Sequence, residues 1–396
     1  MRGQVPTLSV VLEAIRDRGT VSRVELAQAT GLTGATITHA VRRLIQLRFV
    51  REAGQVSSGT GTPRRLLALV PEACHTIGIQ FDRFRTVTVV LDLAGRVVGR
   101  RMDAGAGVRD PESMTTALAE IVTALLAETG VARATVLGAG VVTYGPQDQE
   151  AGVLLTPQPT DAWQGYPLAD ELARALGIPV LLENDATAAG LGHAGLGSAR
   201  SSFATVYMAG GIGAGVMLDG QPYRGSSSNG VELGHISVDA AGEACTCGNV
   251  GCLENVAGPT AIVSRARADP ALSARVDLAA DTLTAFRRIG RAALGGDPAA
   301  AELISASANA LAIATVTLVN LFDVARVVLA GDAFADVGAV YRDRTQQALA
   351  RSSFIRAVHA VDVELSVQST DAAAIGGAVT VLRDLFESAR RPRVRG

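Results

Sequence analysis

The sequence predicts an α/β protein with a small helical head and a larger body of two related lobes. Three observations carry this. The 396 residues exceed the roughly 250 to 300 at which a single hydrophobic core stops growing. Positive charge is concentrated in the first 70 residues. Strand, turn, strand and helix recur along the remainder, as in two α/β lobes around a cleft. A composition 48% apolar and 19% charged excludes a disordered chain. All 36 residues of the Lys+Arg count are Arg, which excludes a lysine Schiff base, a lysine general base or a phosphate-loop lysine. The formal net charge of −2 averages two unlike parts: residues 1–70 carry ten Arg against Glu13, Asp17, Glu25 and Glu52, a net of +6, and the rest carries −8.

In the head, apolar spacing predicts helices over Leu8 to Arg18, Ser22 to Thr30 and Thr33 to Arg48, the first two ended by Gly19 and Gly31. Ser22 with Glu25 three positions later is a capping-box signature. In the third helix Ile37, Val41, Leu44 and Ile45 form one buried stripe. Its opposite face carries Thr36, His39, Arg42 and Arg43, small and basic groups suited to a helix lying in a major groove. Two strands follow, Phe49 to Glu52 and Arg65 to Val70, around a loop with Gly59, Gly61, Pro63, Arg64 and Arg65. This is the wing of a winged helix-turn-helix, whose arginines reach phosphates or a narrow minor groove. A three-helix protein-interaction module is the competing reading; charge, helix spacing and wing together disfavour it.

Residues 71–76 read as a linker. Alternating apolar residues at Ile77, Ile79 and Phe81 and at Val87, Val89 and Leu91 begin a first lobe over 77–190, completed by a C-terminal helix at 372–390. Phe203 to Met208 and Gly215 to Leu218 begin a second lobe over 191–371. Helical stretches fall near Pro111 to Thr129, Pro167 to Leu176 and Ala299 to Phe322. The longest apolar candidate for a membrane span, Leu311 to Phe322, is interrupted by Thr315, Thr317 and Asn320 and reads as a buried helix. No signal peptide is seen, so the expected location is cytoplasmic.

Of the four cysteines, Cys245, Cys247 and Cys252 fall within eight residues, ten residues after His235. One imidazole and three thiolates close a tetrahedral zinc shell, and a closed shell is the mark of a structural metal.

The elements Glu232-Leu233-Gly234-His235, Cys245-Thr246-Cys247-Gly248-Asn249-Val250-Gly251-Cys252-Leu253-Glu254 and Leu182-Glu183-Asn184-Asp185-Ala186 together resemble the ROK family of repressors, open reading frames and sugar kinases, over residues 1–390. The resemblance implies a two-lobed sugar-kinase/actin-like body, a homodimer or a dimer of dimers, and a cleft in which Asn184, Asp185, Glu232, His235 and Glu254 hold sugar hydroxyls. Carboxylates and amides are suited to vicinal hydroxyls. His235 serves both sites if one ring nitrogen meets zinc and the other the ligand.

Asp185 stands at the catalytic-base position of the family's kinases, so its presence does not separate kinase from sensor. The phosphate elements do more. Kinases of the family carry Asp-x-Gly-x-Thr on the first strand. Here Gln80 stands for the Asp, Asp82 for the Gly and Phe84 for the Thr, in the run Gln80 to Arg85, so bulky groups occupy the phosphate approach. The second element, Ala209 to Gly215, has Gly211 where Thr is common. Pro159 to Trp163 lacks the kinases' Asn, and Val231 replaces a small residue before Glu232. The reading is a sugar-responsive transcription regulator, most simply a repressor of carbohydrate genes that has lost nucleotide binding. It would bind a palindromic double-stranded operator and a sugar or sugar phosphate, with no catalytic residue and no membrane partner. The alternatives are an ATP-dependent sugar kinase with a regulatory head, and a DNA-binding protein whose body only dimerises.

Overall fold

The computed structural model describes residues 7–56, 63–157, 159–195 and 202–388. The head contains α1 (Thr7–Arg18), β1 (Thr20–Ser22), α2 (Arg23–Thr30), α3 (Gly34–Gln46), β2 (Val50–Val56) and β3 (Arg64–Leu69). The capping box forms: the Glu25 N–H donates to Ser22 Oγ and the Ser22 N–H donates to Glu25 Oε2. Gly31 ends α2 at φ 69°, and Thr33 caps α3 by accepting from the Thr36 N–H at 3.2 Å. Val11, Ile15, Leu26, Ile37, Val41 and Leu44 close the head's core against Leu67 of the wing. β1, absent from the sequence reading, pairs Val21 with Leu67 and makes the wing three-stranded, in the order β1-β3-β2. The wing tip read at Gly59 and Gly61 lies outside the described residues.

The first lobe runs through β4 (His75–Phe81), β5 (Arg85–Asp92), β6 (Val97–Ala104), α4 (Pro111–Thr129), β7 (Val136–Thr143), β8 (Gln147–Asp148), β9 (Val153–Leu154), α5 (Leu168–Leu176), β10 (Val180–Asn184) and α6 (Asp185–Ala194). Its sheet has the order β10-β7-β4-β5-β6. The second lobe holds β11 (Phe203–Met208), β12 (Ile212–Leu218), β13 (Gln221–Pro222), α7 (Leu253–Ala257), α8 (Pro259–Ala268), α9 (Pro270–Ser273), α10 (Thr282–Leu294), α11 (Pro298–Phe322), β14 (Arg326–Ala330), α12 (Phe334–Ser352) and β15 (Asp362–Leu365). Its sheet has the order β13-β12-β11-β14-β15. In both sheets the first strand pairs antiparallel with the next and parallel with a later one. That shared topology is the internal repeat faintly visible in the sequence.

The last helix, α13 (Ala372–Ser388), returns to the first lobe; residues 389–390 of the expected 372–390 lie outside the described residues. It packs backbone to backbone. A Cβ on Gly78 of β4 would stand 1.7 Å from the Ala374 carbonyl oxygen, and one on Gly376 would stand 1.7 Å from that of Ala188 in α6. Only glycine permits such approach, so β4, α13 and α6 form one rigid stack. In α11, apolar enough over 25 residues to match a membrane span, Ile304, Ala308, Leu311 and Leu318 are buried in the second lobe's core.

Candidate functional site

The β10-to-α6 junction positions Asn184 and Asp185. Asn184 is the N-cap of α6, its Oδ1 accepting from the N–H groups of Ala186 and Thr187 at 3.0 and 3.1 Å. Capping commits this oxygen, so Asn184 offers its amide as donor. Asp185 Oδ1 accepts from the Ala186 N–H at 2.8 Å. Burial, together with the nearby carboxylates of Glu232, Asp82 and Glu254, pushes the Asp185 carboxyl up to about 7. Burial and Glu254 likewise raise Glu232, against the opposing pull of His235. Glu254 Oε2 accepts from the Ile212 N–H at 3.1 Å, which seats it on the glycine-rich start of β12. The structure therefore brings Asp185, Glu232, His235 and Glu254 near one another, with Asn184 beside Asp185.

The ligand atoms of His235, Cys245, Cys247 and Cys252 all lie within 4.8 Å of one another. Cys245 Sγ is 3.7 Å from His235 Nδ1, and Cys247 Sγ is 3.6 Å from Cys252 Sγ. The Cys247 N–H, followed by the neighbouring thiols and imidazole, holds the Cys245 thiol down to about 6. A thiolate and an imidazole at these separations can hold a metal. Nδ1 faces the sulfurs, so Nε2 is the nitrogen left for another partner. Asn249 Nδ2 donates to the His235 carbonyl oxygen at 3.1 Å and steadies the residue from behind.

On α3, His39, Arg42 and Arg43 are exposed and Thr36 is half-buried, opposite the buried Ile37, Val41 and Leu44. The Thr36 hydroxyl lies 2.9 Å from that of Thr33 and belongs to the cap as much as to the outer face. Arg64 is exposed. Arg65 is ion-paired with Glu52 across the wing at 2.7 Å, so it is the less available of the two wing arginines.

A model described as the ROK family matches residues 76–384, and one described as winged helix-turn-helix DNA-binding matches residues 8–51. The chain belongs to the ROK family. A relative named putative xylose repressor, from Caldicellulosiruptor sp. (strain Rt8B.4), is 27% identical over 382 residues, 95% of each chain. A crystal structure described as a ROK family transcriptional regulator, homolog of E. coli MLC protein, superposes with TM-score 0.74 at 23% identity over 96% of this chain and 98% of that one, which shows the fold. The ROK hexokinase of Thermus thermophilus superposes with TM-score 0.63 at 29% identity, over 79% of this chain and 99% of that one.

The β4–β5 turn, in the run Gln80 to Arg85, is closed by its own groups. Asp82 Oδ1 accepts from the Phe84 and Arg85 N–H groups at 2.6 and 2.8 Å and folds the β4–β5 turn onto itself. Arg85 is ion-paired with Asp332, which follows β14 in the other lobe and accepts from Thr370 Oγ1 at 2.6 Å. Trp163 is fully buried against Phe81, its Nε1 donating to the Arg109 carbonyl oxygen.

Sequence reasoning missed a set of polar contacts between the lobes. Glu183, 1% exposed, receives Arg224 through both oxygens at 2.8 and 2.6 Å and the Gln149 amide at 2.7 Å. Asn229 exchanges two hydrogen bonds with the backbone of Gln147. Both tie the second-lobe segment before Glu232 to the first lobe. The available signal was a lone carboxylate in the apolar run Val180-Leu181-Leu182-Glu183, since a buried charge demands a partner. Val231, ahead of Glu232, sits at φ 70° with its side chain packed on the second-lobe core.

Proposed function

We propose that this ROK protein is a sugar-responsive DNA-binding repressor of carbohydrate genes, acting in the cytoplasm, with a head over residues 1–70, a connector at 71–76, a first lobe over 77–190 plus 372–390 and a second over 191–371. The observation that carries it is the joining of a basic, exposed α3 face to a cleft whose floor groups are suited to hydroxyls and whose phosphate side is closed by Asp82 and the Arg85–Asp332 pair. Arg42, Arg43 and Arg64 supply the main DNA contacts, with Thr36, His39 and Arg65 beside them; Asn184, Asp185, Glu232, His235 and Glu254 hold the sugar. A phosphate entering as in the kinases meets the Asp82 carboxyl, which supports loss of nucleotide binding. His235, Cys245, Cys247 and Cys252 would hold structural zinc, which orders the loop that carries His235 and Glu254.

Two copies reading a palindrome require a self-complementary surface. Ile313 and Leu321 on α11 and Phe354 and Val358 after α12 are 57%, 73%, 85% and 83% exposed. Phe354 lies beside the end of α11, because the Phe354 N–H donates to Asn320 at 2.9 Å. Apolar groups this open support a homodimer built on this face.

The deciding experiment selects an operator from a random duplex pool and measures its affinity alone, with D-xylose, D-glucose and N-acetylglucosamine in turn, and with ATP. A sugar acting through the cleft shifts operator affinity; about 100-fold corresponds to roughly 2.7 kcal/mol of coupling. Sugar-dependent release of ADP would instead assign a kinase with a regulatory head. Operator binding with no heat and no thermal shift from any sugar would assign a body that only dimerises.

A further inference from the structure

Helix α13 ends where head, first lobe and second lobe meet. Arg383 Nη1 and Nη2 each donate to the Gly220 carbonyl oxygen at 3.0 Å, in the β12–β13 turn of the second lobe. Its neighbour Leu382 is 2% exposed and belongs to the head's apolar core, together with Leu93 of the first lobe and Cys74 of the connector. From the head, α1 turns Leu12 and Glu13 toward the same corner, across a cavity of about 30 Å³ shared with Leu382 and Arg383. Such a void has room for about one water. Burial pushes the Glu13 carboxyl up to about 7 against the pull of Arg16 and Arg383, with Asp17 adding to the rise, so the Arg383 charge is felt in the head.

Both elements leading away from this corner end at ligand groups. The chain after Gly220 passes through Arg224, bound to Glu183, and Asn229, bound to Gln147, before reaching Glu232. Helix α13 itself is locked without intervening side chains to α6, whose first residues are the Asn184-Asp185 turn. A change in the angle between lobes moves the Gly220 turn against α13, and Arg383 touches both.

We propose that Arg383 is the positioning residue through which cleft closure sets the orientation of the DNA-reading head. The proposal rests on the sensor reading above. Packed seams of this kind hold discrete arrangements and do not deform continuously, so a small lobe rotation is passed on as a reorientation of α1. Arg383 suits the task because its planar fork keeps both donors on one carbonyl while its charge faces Glu13.

The test uses the full chain with Arg383→Ala, Arg383→Lys and Glu13→Gln. Each of the three sugars is titrated by calorimetry, and the selected operator is titrated with and without the sugar that binds. In Arg383→Ala, sugar affinity and sugar-free operator affinity are expected to stay within about threefold of wild type, while the sugar-induced shift in operator affinity falls from about 100-fold to below about fivefold. Arg383→Lys should fall between. If Arg383→Ala folds poorly, Glu13→Gln, compared with wild type at pH 8 where the Glu13 carboxyl is ionised, removes only the facing charge and is expected to shrink the shift severalfold on its own. A full shift in folded Arg383→Ala, or in Glu13→Gln where Arg383→Ala does not fold, overturns the proposal and leaves the sensor reading standing. Loss of sugar or operator binding itself in folded Arg383→Ala also overturns it, because that is a structural role. A wild-type protein that binds the operator and none of the sugars brings down the sensor reading, and the proposal with it.

Discussion

A Cβ atom on residue 211 would stand 2.8 Å from Oε2 of Glu254. Gly211, the position where the family's kinases commonly have Thr, is thus the space into which the Glu254 carboxylate fits while it accepts from the Ile212 N–H. Gly211→Ala must push the carboxylate off that donor. The expected outcome is a folded protein with sugar affinity lowered about tenfold, or roughly 1.4 kcal/mol, read by calorimetry, and with sugar-free operator binding unchanged.

Asp185 sets a pH dependence. Its carboxyl lies near 7 in the folded protein, raised by burial and by neighbouring carboxylates, against an ordinary value near 4. The native state therefore holds an extra proton between these values. This contribution to stability is full below the unfolded value and is lost as pH rises through about 7. Asp185→Asn should flatten the decline in thermal midpoint between pH 5 and pH 8 and raise the midpoint of the empty protein at pH 8. Because the ionised carboxylate is the better acceptor of a sugar hydroxyl, wild-type sugar affinity should rise over the same interval, and that of Asp185→Asn should not.

The His235, Cys245, Cys247 and Cys252 cluster predicts one metal ion for each chain. Elemental analysis should find about one zinc for each copy in wild type and less in Cys245→Ser. Chelation should lower the thermal midpoint and expose the 239–252 loop to proteolysis, since binding at such a site supplies on the order of 10 kcal/mol of apparent free energy. Wild type with no bound zinc and no response to chelator would sink the assignment.

Val231 stands at φ 70°, a conformation costing a β-branched residue about 1–2 kcal/mol. Its half-buried side chain returns about the same through contact with the second-lobe core. Val231→Ala keeps the strain and loses the contact, and is expected to cost about 1 kcal/mol in chemical denaturation. Val231→Gly loses both and should cost less than Val231→Ala. The opposite order would show that the left-handed backbone carries no strain here.

Phe354, 85% exposed, tests the dimer. Phe354→Asp should convert the protein to monomers at micromolar concentration in sedimentation analysis, with sugar binding intact and operator affinity lowered at least tenfold.

Much of the fold can be read from local pattern. The helices of the head, α4, α11 and α13 carry unbroken stripes, caps or terminal glycines and proline starts, and these act over three or four residues. α12 is different: its buried residues Phe334, Val337, Tyr341 and Leu349 are interrupted by the buried Thr345 and Gly338, so its stripe is visible only once its neighbours are in place. β1 is three residues long and exists because β3 lies beside it. In the site, spacing singled out His235 and the three cysteines, and the resemblance to the family singled out Asn184, Asp185, Glu232 and Glu254. Neither could show that Asn184 spends its oxygen on a helix cap, or that Arg65 is held by Glu52.

By itself the sequence determined the basic head with its capped helix, the crowded thiols, the bulky run at Gln80 to Arg85 and a head whose basic side chains, His39 aside, are all arginine. These follow from residue types and short spacings. Only the tertiary structure decided that the carboxylates of Glu232, Asp82 and Glu254 gather near Asp185 and raise it, that Arg85 reaches Asp332 of the other lobe, that Glu183 captures Arg224, and that Arg383 joins head, α13 and the Gly220 turn. The partners in these relationships are separated by 20 to several hundred residues, and no local periodicity encodes which side chains burial will force to share one space.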